Sequence, residues 1–488
     1  MTSPRIALVW SFLERYVNVV LSLASSMIIA RLLTPSEVGK FSLCAAALSV
    51  AATMRDFGIS EYILQEKDLT QARMRAAFAV AIATAWPVGL GVLFGRHWIA
   101  RYYAEPELAA IIGILSINFL ILPFATSAFA LLNREMAFRK VFFIQTSATV
   151  VQAVGGVLLA ALGHGARSLA WASVAGIAVQ VLACTVARPR NSLIWPSFHG
   201  AYSVFRYGSM AVTGRVIDTA TGNAHEFIIA RMFGFAELGL FSRAMGLIEM
   251  FSKNVTSAIA RVATPAMANA HRDQRHLAEW FAMGTAIYTG VAWPFFACLA
   301  IAAPEILQVI FGSQWGAAAK PATLLAVSML PSSLYALSAS ALAAMGQVQR
   351  RLAISIQFSP VHVAALLAAA LLGGFQALAL AWSLTHVVLL LLHSRQLRLA
   401  MGATLGQLYG PCAGSAVLAL ATGTVQLGTS LLCRAQGWPA IFTLAAVLTA
   451  GLASWAAVVQ WLSHPIKAEW LRLCAGIRGR LLHPRQAG

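Results

Sequence analysis

The 488-residue sequence is 59% hydrophobic and only 11% charged, with a mean hydropathy of +0.73, too apolar to clothe a water-soluble globule. Its formal net charge of +18 would suit nucleic acid only as a clustered patch on a polar domain. The Lys and Arg are instead scattered between apolar runs, so nucleic acid is excluded as a partner and an all-α polytopic membrane protein is what remains.

Apolar runs predict about fourteen transmembrane helices, near residues 9–30, 41–59, 76–98, 107–132, 141–163, 168–187, 208–231, 239–262, 281–303, 320–345, 352–374, 376–393, 408–431 and 439–462. The opening segment MTSPRIALVWSFLER has no cleavage-site pattern before a continuing apolar run, so it reads as the first membrane helix rather than a removed signal peptide. Connections are short, which implies antiparallel neighbours. Lys and Arg concentrate in alternate connections, and the positive-inside rule then puts both termini in the cytoplasm. The last stretch, IKAEWLRLCAGIRGRLL (466–482), reads either as an interfacial helix or as a basic tail that anchors topology. Six isolated cysteines show no metal-type spacing and read as packing residues.

One short segment occurs twice. IIARLLTPSEVGKFS (28–42) and IIARMFGFAELGLFS (228–242) match at an offset of 200, including Arg31/Arg231, Glu37/Glu237, Gly39/Gly239 and Ser42/Ser242. The second copy follows six helices, so both cross the membrane in the same direction. This predicts a parallel repeat: a six-helix lobe over 1–200, a second over 201–400, two additional transmembrane helices over 401–465 and a cytoplasmic tail over 466–488, with a cavity between the lobes.

Extending the register upstream gives two polar stripes. Arg15, Asn18, Ser22, Ser25 and Ser26 share one face of helix 1, and Arg215, Asp218, Gly222, His225 and Glu226 trace the same arc on helix 7. Helix 8 adds Arg243, Glu249 and Lys253. Intramembrane charge normally faces a partner or a wet cavity and points to function. The substrate-binding candidates are Arg15, Asn18, Arg215, Arg243 and Lys253, the four cationic side chains because they suit phosphate and Asn18 because it shares the stripe with Arg15. The ion-coupling candidates are Asp218, His225, Glu226, Glu249 and Glu14, which could carry a proton or bind sodium. The bland alternatives are mutual neutralisation of Arg215 by Asp218 and of Glu249 by Lys253, and snorkelling of Arg15 and Arg243 to the headgroups. No catalytic or metal-ligating set is seen, and no cofactor motif. RDFG (55–58) lacks the nucleotide loop of a kinase and reads as a helix end with Gly58 as its cap. Gly402, Gly406, Gly410 and Gly414 form a small-residue ladder suited to close helix packing.

RLLTPSEVG (31–39), RDFG (55–58) with YILQ (62–65), NREMAF (133–138) and FGSQW (311–315) resemble bacterial polysaccharide exporters of the Wzx type, nearest the colanic-acid-exporter-like branch. These belong to the multidrug/oligosaccharidyl-lipid/polysaccharide flippase superfamily. The resemblance covers about residues 8–400 and is most specific in the first 140; the last two helices carry no matching motif. It implies a transporter that flips an undecaprenyl-diphosphate-linked oligosaccharide from the cytoplasmic to the periplasmic leaflet of the bacterial inner membrane by alternating access. It also implies diphosphate contacts at Arg15 and Arg215, while Arg31, Pro35 and Gly39 read as a helix–turn–helix connector. A polysaccharide polymerase is a candidate partner, beside membrane lipids. Alternatives in the same fold are a multidrug or cation antiporter and a peptidoglycan-precursor flippase. A membrane glycosyltransferase or polymerase is the alternative enzyme reading, disfavoured by the lack of a sizeable loop or nucleotide-sugar motif.

Overall fold

A computed structural model describes residues 4–56, 58–66, 68–189, 195–198, 201–273, 276–462 and 464–467. Side chains at 4–8, 201–204, 206–211, 213, 253 and 348 are outside that description, as is nearly all of the proposed tail helix. The described chain is helical and contains no strand. Ten of its helices are long and apolar enough to cross a membrane, or eleven if the bent pair Glu107–Ile121 and Pro123–Arg134 forms one span. This is a multi-pass membrane protein. Its contacts gather into two compact units, Met1–Ser242 and Arg243–Gly488.

In the first unit, α1 (Pro4–Leu32) packs on α7 (Phe138–Ala161), α7 on α8 (Ala166–Ala187), and α4 (Gln71–Tyr102) on α5 (Glu107–Ile121). The turn before α2 (Pro35–Asp56) is a reciprocal cap. Glu37 donates its amide to Thr34 Oγ1 at 3.3 Å, while Glu37 Oε2 accepts from the Thr34 amide at 2.8 Å. Proline then occupies the first helical position, where no amide hydrogen is needed. TPSE is thus a helix-start signal, in keeping with the connector expected there. Gly58 adopts φ 66° and ψ 17°, the left-handed geometry that favours glycine, and turns the chain into α3 (Ile59–Gln65). α3 is clamped by an apolar cluster of Ile59, Tyr62, Ile63, Met74 and Phe78. Arg134, on α6 (Pro123–Arg134), donates to the carbonyls of Ile63 and Glu66 at 2.6 and 2.5 Å, satisfying the open C-terminal end of α3. The unit closes with α9 (Ala201–Gly222), α10 (Ala224–Met232) and the first part of α11 (Phe235–Phe251). The predicted helix 208–231 is therefore two helices, interrupted at Asn223.

In the second unit, α11 passes through one π turn (Ser252–Thr256) into α12 (Ser257–Arg272). Then follow α13 (Leu277–Ile301), α14 (Ala303–Ile310), α15 (Ala319–Tyr335) and α16 (Ser338–Ala344). α17 runs from Val348 to Met401 with Gly374 in a non-helical conformation, φ 74° and ψ −169°, which marks the break expected between residues 374 and 376. The short α18 (Leu405–Tyr409), α19 (Ala413–Ala435) and α20 (Ala440–Trp461) complete it. α13 packs on α15 and α19, and α19 on α20. Arg434 grips Glu305 through two hydrogen bonds of 2.7 and 2.8 Å, the two-pronged geometry a guanidinium offers a carboxylate.

The glycine ladder does not lie on one helix. Gly402 ends α17, Gly410 opens a 3₁₀ turn, and only Gly414 sits in α19. What it admits is a ring. The His464 imidazole lies where a Cβ on Gly414 would come within 2.9 Å and one on Gly290 within 2.8 Å. His464 Nδ1 accepts from the Ile466 amide, so Nε2 carries the hydrogen and donates to Ser415 Oγ at 2.9 Å.

Candidate functional site

The doubled segment brings its own two copies together. Gly39 on α2 faces Gly239 on α11 so closely that a Cβ on Gly39 would run into the Phe235 carbonyl oxygen, and one on Gly239 into that of Pro35. One turn further, Ser42 Oγ and Ser242 Oγ lie 2.8 Å apart. Small residues at such a crossing let backbones approach, as membrane helices require where lipid supplies no hydrophobic drive.

The seam continues along α2. Asn223 Nδ2 donates to Ser49 Oγ at 3.1 Å, and Thr53 Oγ1 meets Thr219 Oγ1 at 3.2 Å. Positions 42, 49 and 53 recur at helical spacing on one face. The break between α9 and α10 at Asn223 therefore has a polar partner.

Below Thr53 the seam opens into a cavity of about 260 Å³, lined among others by Arg55, Asp56, Ser60, Glu61, Gln180 and Arg215. Arg215 donates to Glu61 Oε1 at 2.8 Å. Arg55 binds Asp56 through Nε at 2.9 Å and Nη2 at 2.7 Å, and its guanidinium lies 5.2 Å from the Phe119 ring centroid. The Arg55 side chain is 14% exposed, whereas Arg215 and Glu61 are 49% and 38% exposed. Two guanidinium groups, each already answered by a carboxylate, thus share one wet cavity. The exposed Arg215–Glu61 pair is worth little, about 0–1 kcal/mol. Ser60 and Gln180 supply neutral hydrogen-bonding groups beside them.

Of the predicted residues, Arg215 is the one that lines this cavity. Its partner is Glu61, not Asp218. Asn18 donates to Glu14 Oε1 at 3.0 Å within α1, so these two candidates bind one another. His225 is 4% exposed, lies tilted at 44° against Phe241 with centroids 5.1 Å apart, and is 4.0 Å from Glu226. Arg243 sits between two aromatic rings, 5.3 Å from Phe311 and 5.2 Å from Trp315, so FGSQW supplies a cation–π clamp. The snorkelling expected of Arg243 gives way to that clamp. Arg15, Asp218 and Glu249 lie on α1, α9 and α11. The side chain of Lys253 is outside the described residues.

Arg55 and Glu61 escaped the sequence reading. Arg55 stands in RDFG, which reads as a helix end, and Glu61 lies between the two motifs RDFG and YILQ. The signal was available: a basic and an acidic residue six apart, on either side of a glycine turn.

Residues 28–320 match the profile of the family described as polysaccharide biosynthesis protein. The chain belongs to that family. Among its relatives is the lipopolysaccharide biosynthesis protein WzxC of Escherichia coli K12, 21% identical over 75% of this chain and 74% of its own length. The succinoglycan biosynthesis transport protein ExoT of Rhizobium meliloti is 26% identical over 65% of each chain. The structure of the lipid II flippase MurJ in an inward closed conformation superposes with a TM-score of 0.74 at 9% identity, over 92% of this chain and 98% of that one. The segments RDFG, YILQ and NREMAF meet at α3 and the cavity wall, and TPSE caps the helix that carries the seam.

Proposed function

We propose that this family member is a flippase that moves a lipid-linked oligosaccharide, its lipid an undecaprenyl diphosphate, from the cytoplasmic to the periplasmic leaflet of the inner membrane. The observation that carries the reading is the cavity in which Arg55 stands beside Arg215, the latter held by a displaceable carboxylate, in a chain whose family is polysaccharide biosynthesis. A diphosphate offers each guanidinium a stronger, doubly hydrogen-bonded partner than Asp56 or Glu61. Ser60 and Gln180 would meet the first sugar, and the prenyl chain would stay in lipid.

With both termini in the cytoplasm, the Gly39–Gly239 crossing faces the periplasm and holds that side shut. Breaking the seam from Ser42 to Thr53 would open the cavity outward, with Arg15 of the repeat meeting cargo on the opposite wall. Separating two helices about a central site is how repeats give alternating access. No covalent chemistry is asked of the protein, and a polymerase would take the product in the outer leaflet.

The test is a deletion strain in which undecaprenyl-diphosphate oligosaccharides are quantified by mass spectrometry beside surface polysaccharide. Complete repeat units should accumulate while the polymer is lost. Truncated lipid-linked sugars would instead mark a glycosyltransferase, and two unchanged pools a drug or cation antiporter.

A further inference from the structure

Between Glu305 and Glu469 the sequence contains neither Asp nor Glu. A cation that couples to transport in this stretch has no carboxylate to bind. It does contain histidines, and two of them face each other across α17.

His362 and His386 lie on the two sides of the Gly374 break, with ring centroids 6.2 Å apart. His362 is 1% exposed. Their hydrogen bonds fix which nitrogen carries the hydrogen. The Trp382 carbonyl can only accept, so His386 Nδ1, 2.8 Å away, is the protonated nitrogen. Thr385 Oγ1 spends its own hydrogen on the same carbonyl at 2.9 Å. It therefore accepts from His362 Nδ1 at 2.8 Å. Both rings are thus Nδ1–H tautomers, and in both the basic lone pair is on Nε2. Neither Nε2 is given to a protein partner among the described residues.

The surroundings are aromatic, and no carboxylate stands among them. Phe358 stacks on His362 at 5.0 Å and 27°, and Trp382 meets it edge-on at 5.0 Å. Trp382 also stacks on His386 at 5.0 Å and 28°. Aromatic faces attract an imidazolium as they attract any cation. The elements packed most extensively on α17 are α15 and α16, while α12, α13 and α18 meet its ends around Ile354 and Leu397, where Tyr409 bonds Ser394. The titratable side chains of α15 and α16 are Lys320, bonded to Gln376 near the break, and Tyr335, stacked on His393. On α17 itself, Arg350 bonds Gln396, and Arg351 stands by His393. A buried imidazole beside a half-buried one in a spanning helix is expensive for packing alone, since Phe would fill the same space, and such groups mark ion pathways.

We propose that the His362–His386 pair binds a proton inside the membrane-spanning part of the second unit, and that this proton is the ion coupled to transport. The second clause rests on the flippase reading; the first does not. The step is Nε2 taking a proton from water to give an imidazolium, with both Nδ1–H bonds kept. Sodium has no ligand set here.

His362→Asn and His386→Asn test it, because the Asn amide reproduces the Nδ1–H donor and removes Nε2. The first readout needs no cargo. Contact with an imidazolium quenches indole, so the fluorescence difference between wild type and Trp382→Phe should fall reversibly on going from about pH 9 to about pH 4. It should stay flat in the double Asn variant. The second readout is flipping of a fluorescent prenyl-diphosphate-linked sugar in proteoliposomes. With one proton per cycle, each pH unit of gradient should bias wild-type flipping by up to about tenfold, unchanged when choline replaces sodium. The double variant should flip at one rate with or without the gradient. A gradient response retained in the double variant, or a fluorescence titration independent of both histidines, overturns the proposal. A wild type that never flips the probe yet shows the histidine-dependent titration upholds the proton site and overturns the flippase reading.

Discussion

Gly39 and Gly239 occupy the same place in two copies of one sequence, and each lies against the backbone carbonyl of the other copy's connector. Neither has room for a Cβ. Gly39→Ala or Gly239→Ala should therefore hold α2 and α11 apart at their crossing. Overpacking of this kind costs about 1–3 kcal/mol, so disulfide formation between Cys introduced at Ser42 and Ser242 should fall about tenfold or more. Full cross-linking in the Ala variants would remove the crossing as a gate. Surface polysaccharide should fall alongside while membrane levels of the protein hold.

Arg215 should dominate cargo capture. Losing a charge-assisted contact to a diphosphate costs about 1.5–3 kcal/mol, so Arg215→Ala should weaken prenyl-diphosphate binding by about tenfold to a hundredfold. Arg55→Lys should also weaken it, because an ammonium cannot lie flat on Phe119 and bridge two oxygens. Calorimetric titration of the purified protein with a short-chain prenyl diphosphate reads both.

Glu61→Gln should act in the opposite direction on affinity. With its competitor gone, Arg215 is free for cargo, so binding should tighten by up to about fivefold. Release should slow, and turnover should drop. Measuring affinity and flux in the same preparation separates this from simple loss of fold, in which both would fall.

His464 makes the second unit acid-sensitive. Burial between Gly290 and Gly414 pushes its pKa below the usual histidine value, because the charged form loses its water. The unfolded chain then takes up the proton first. Stability contributed by the neutral ring is fully present above about pH 6.5 and is lost as pH falls below that value. Melting temperature should drop on acidification in the wild type and less so in His464→Asn. Gly414→Ala should lower it at every pH, since a methyl would stand 2.9 Å from the ring.

The clamp on Arg243 is a stability feature with its own signature. Arg243→Lys keeps the charge but loses flat stacking on Phe311 and Trp315, and should destabilise by about 1 kcal/mol. Thermal denaturation in detergent measures it.

The fold class was legible because apolar run length is set by bilayer thickness, and the matched segments 28–42 and 228–242 stood out because Arg, Glu and Gly in register are rare in membrane helices. Helix breaks were less so. Pro123 and Asn223 interrupt runs that hydropathy joins, since an apolar scale does not register where backbone hydrogen bonds switch partners. Arg215 was found because its charge sits deep in an apolar run. Glu61 and Arg55 were not, because they lie at a helix end, where charge is ordinary, and only the turn at Gly58 brings them onto one cavity. The role of FGSQW required knowing that α11 passes beside it. Pairings such as Asn18 with Glu14 follow from an i, i+4 spacing, yet the stripe reading counted these side chains singly.

The seam is two-fold at one end and lopsided at the other. Near Gly39 and Gly239 each copy does to its twin what the twin does back, as at the axis of a symmetric dimer. Further along the equivalence fails: the position that repeats Glu61 is Arg261, and the one that repeats Arg215 is Arg15. A salt lock that one half can close is, by charge alone, unavailable to the other. Fusing two copies into a single chain is what permits this difference, since in a true dimer every substitution appears on both sides. A single chain can thus keep a two-fold crossing at one end and place a salt bridge on one side alone at the other, a direction that no pair of identical halves could possess.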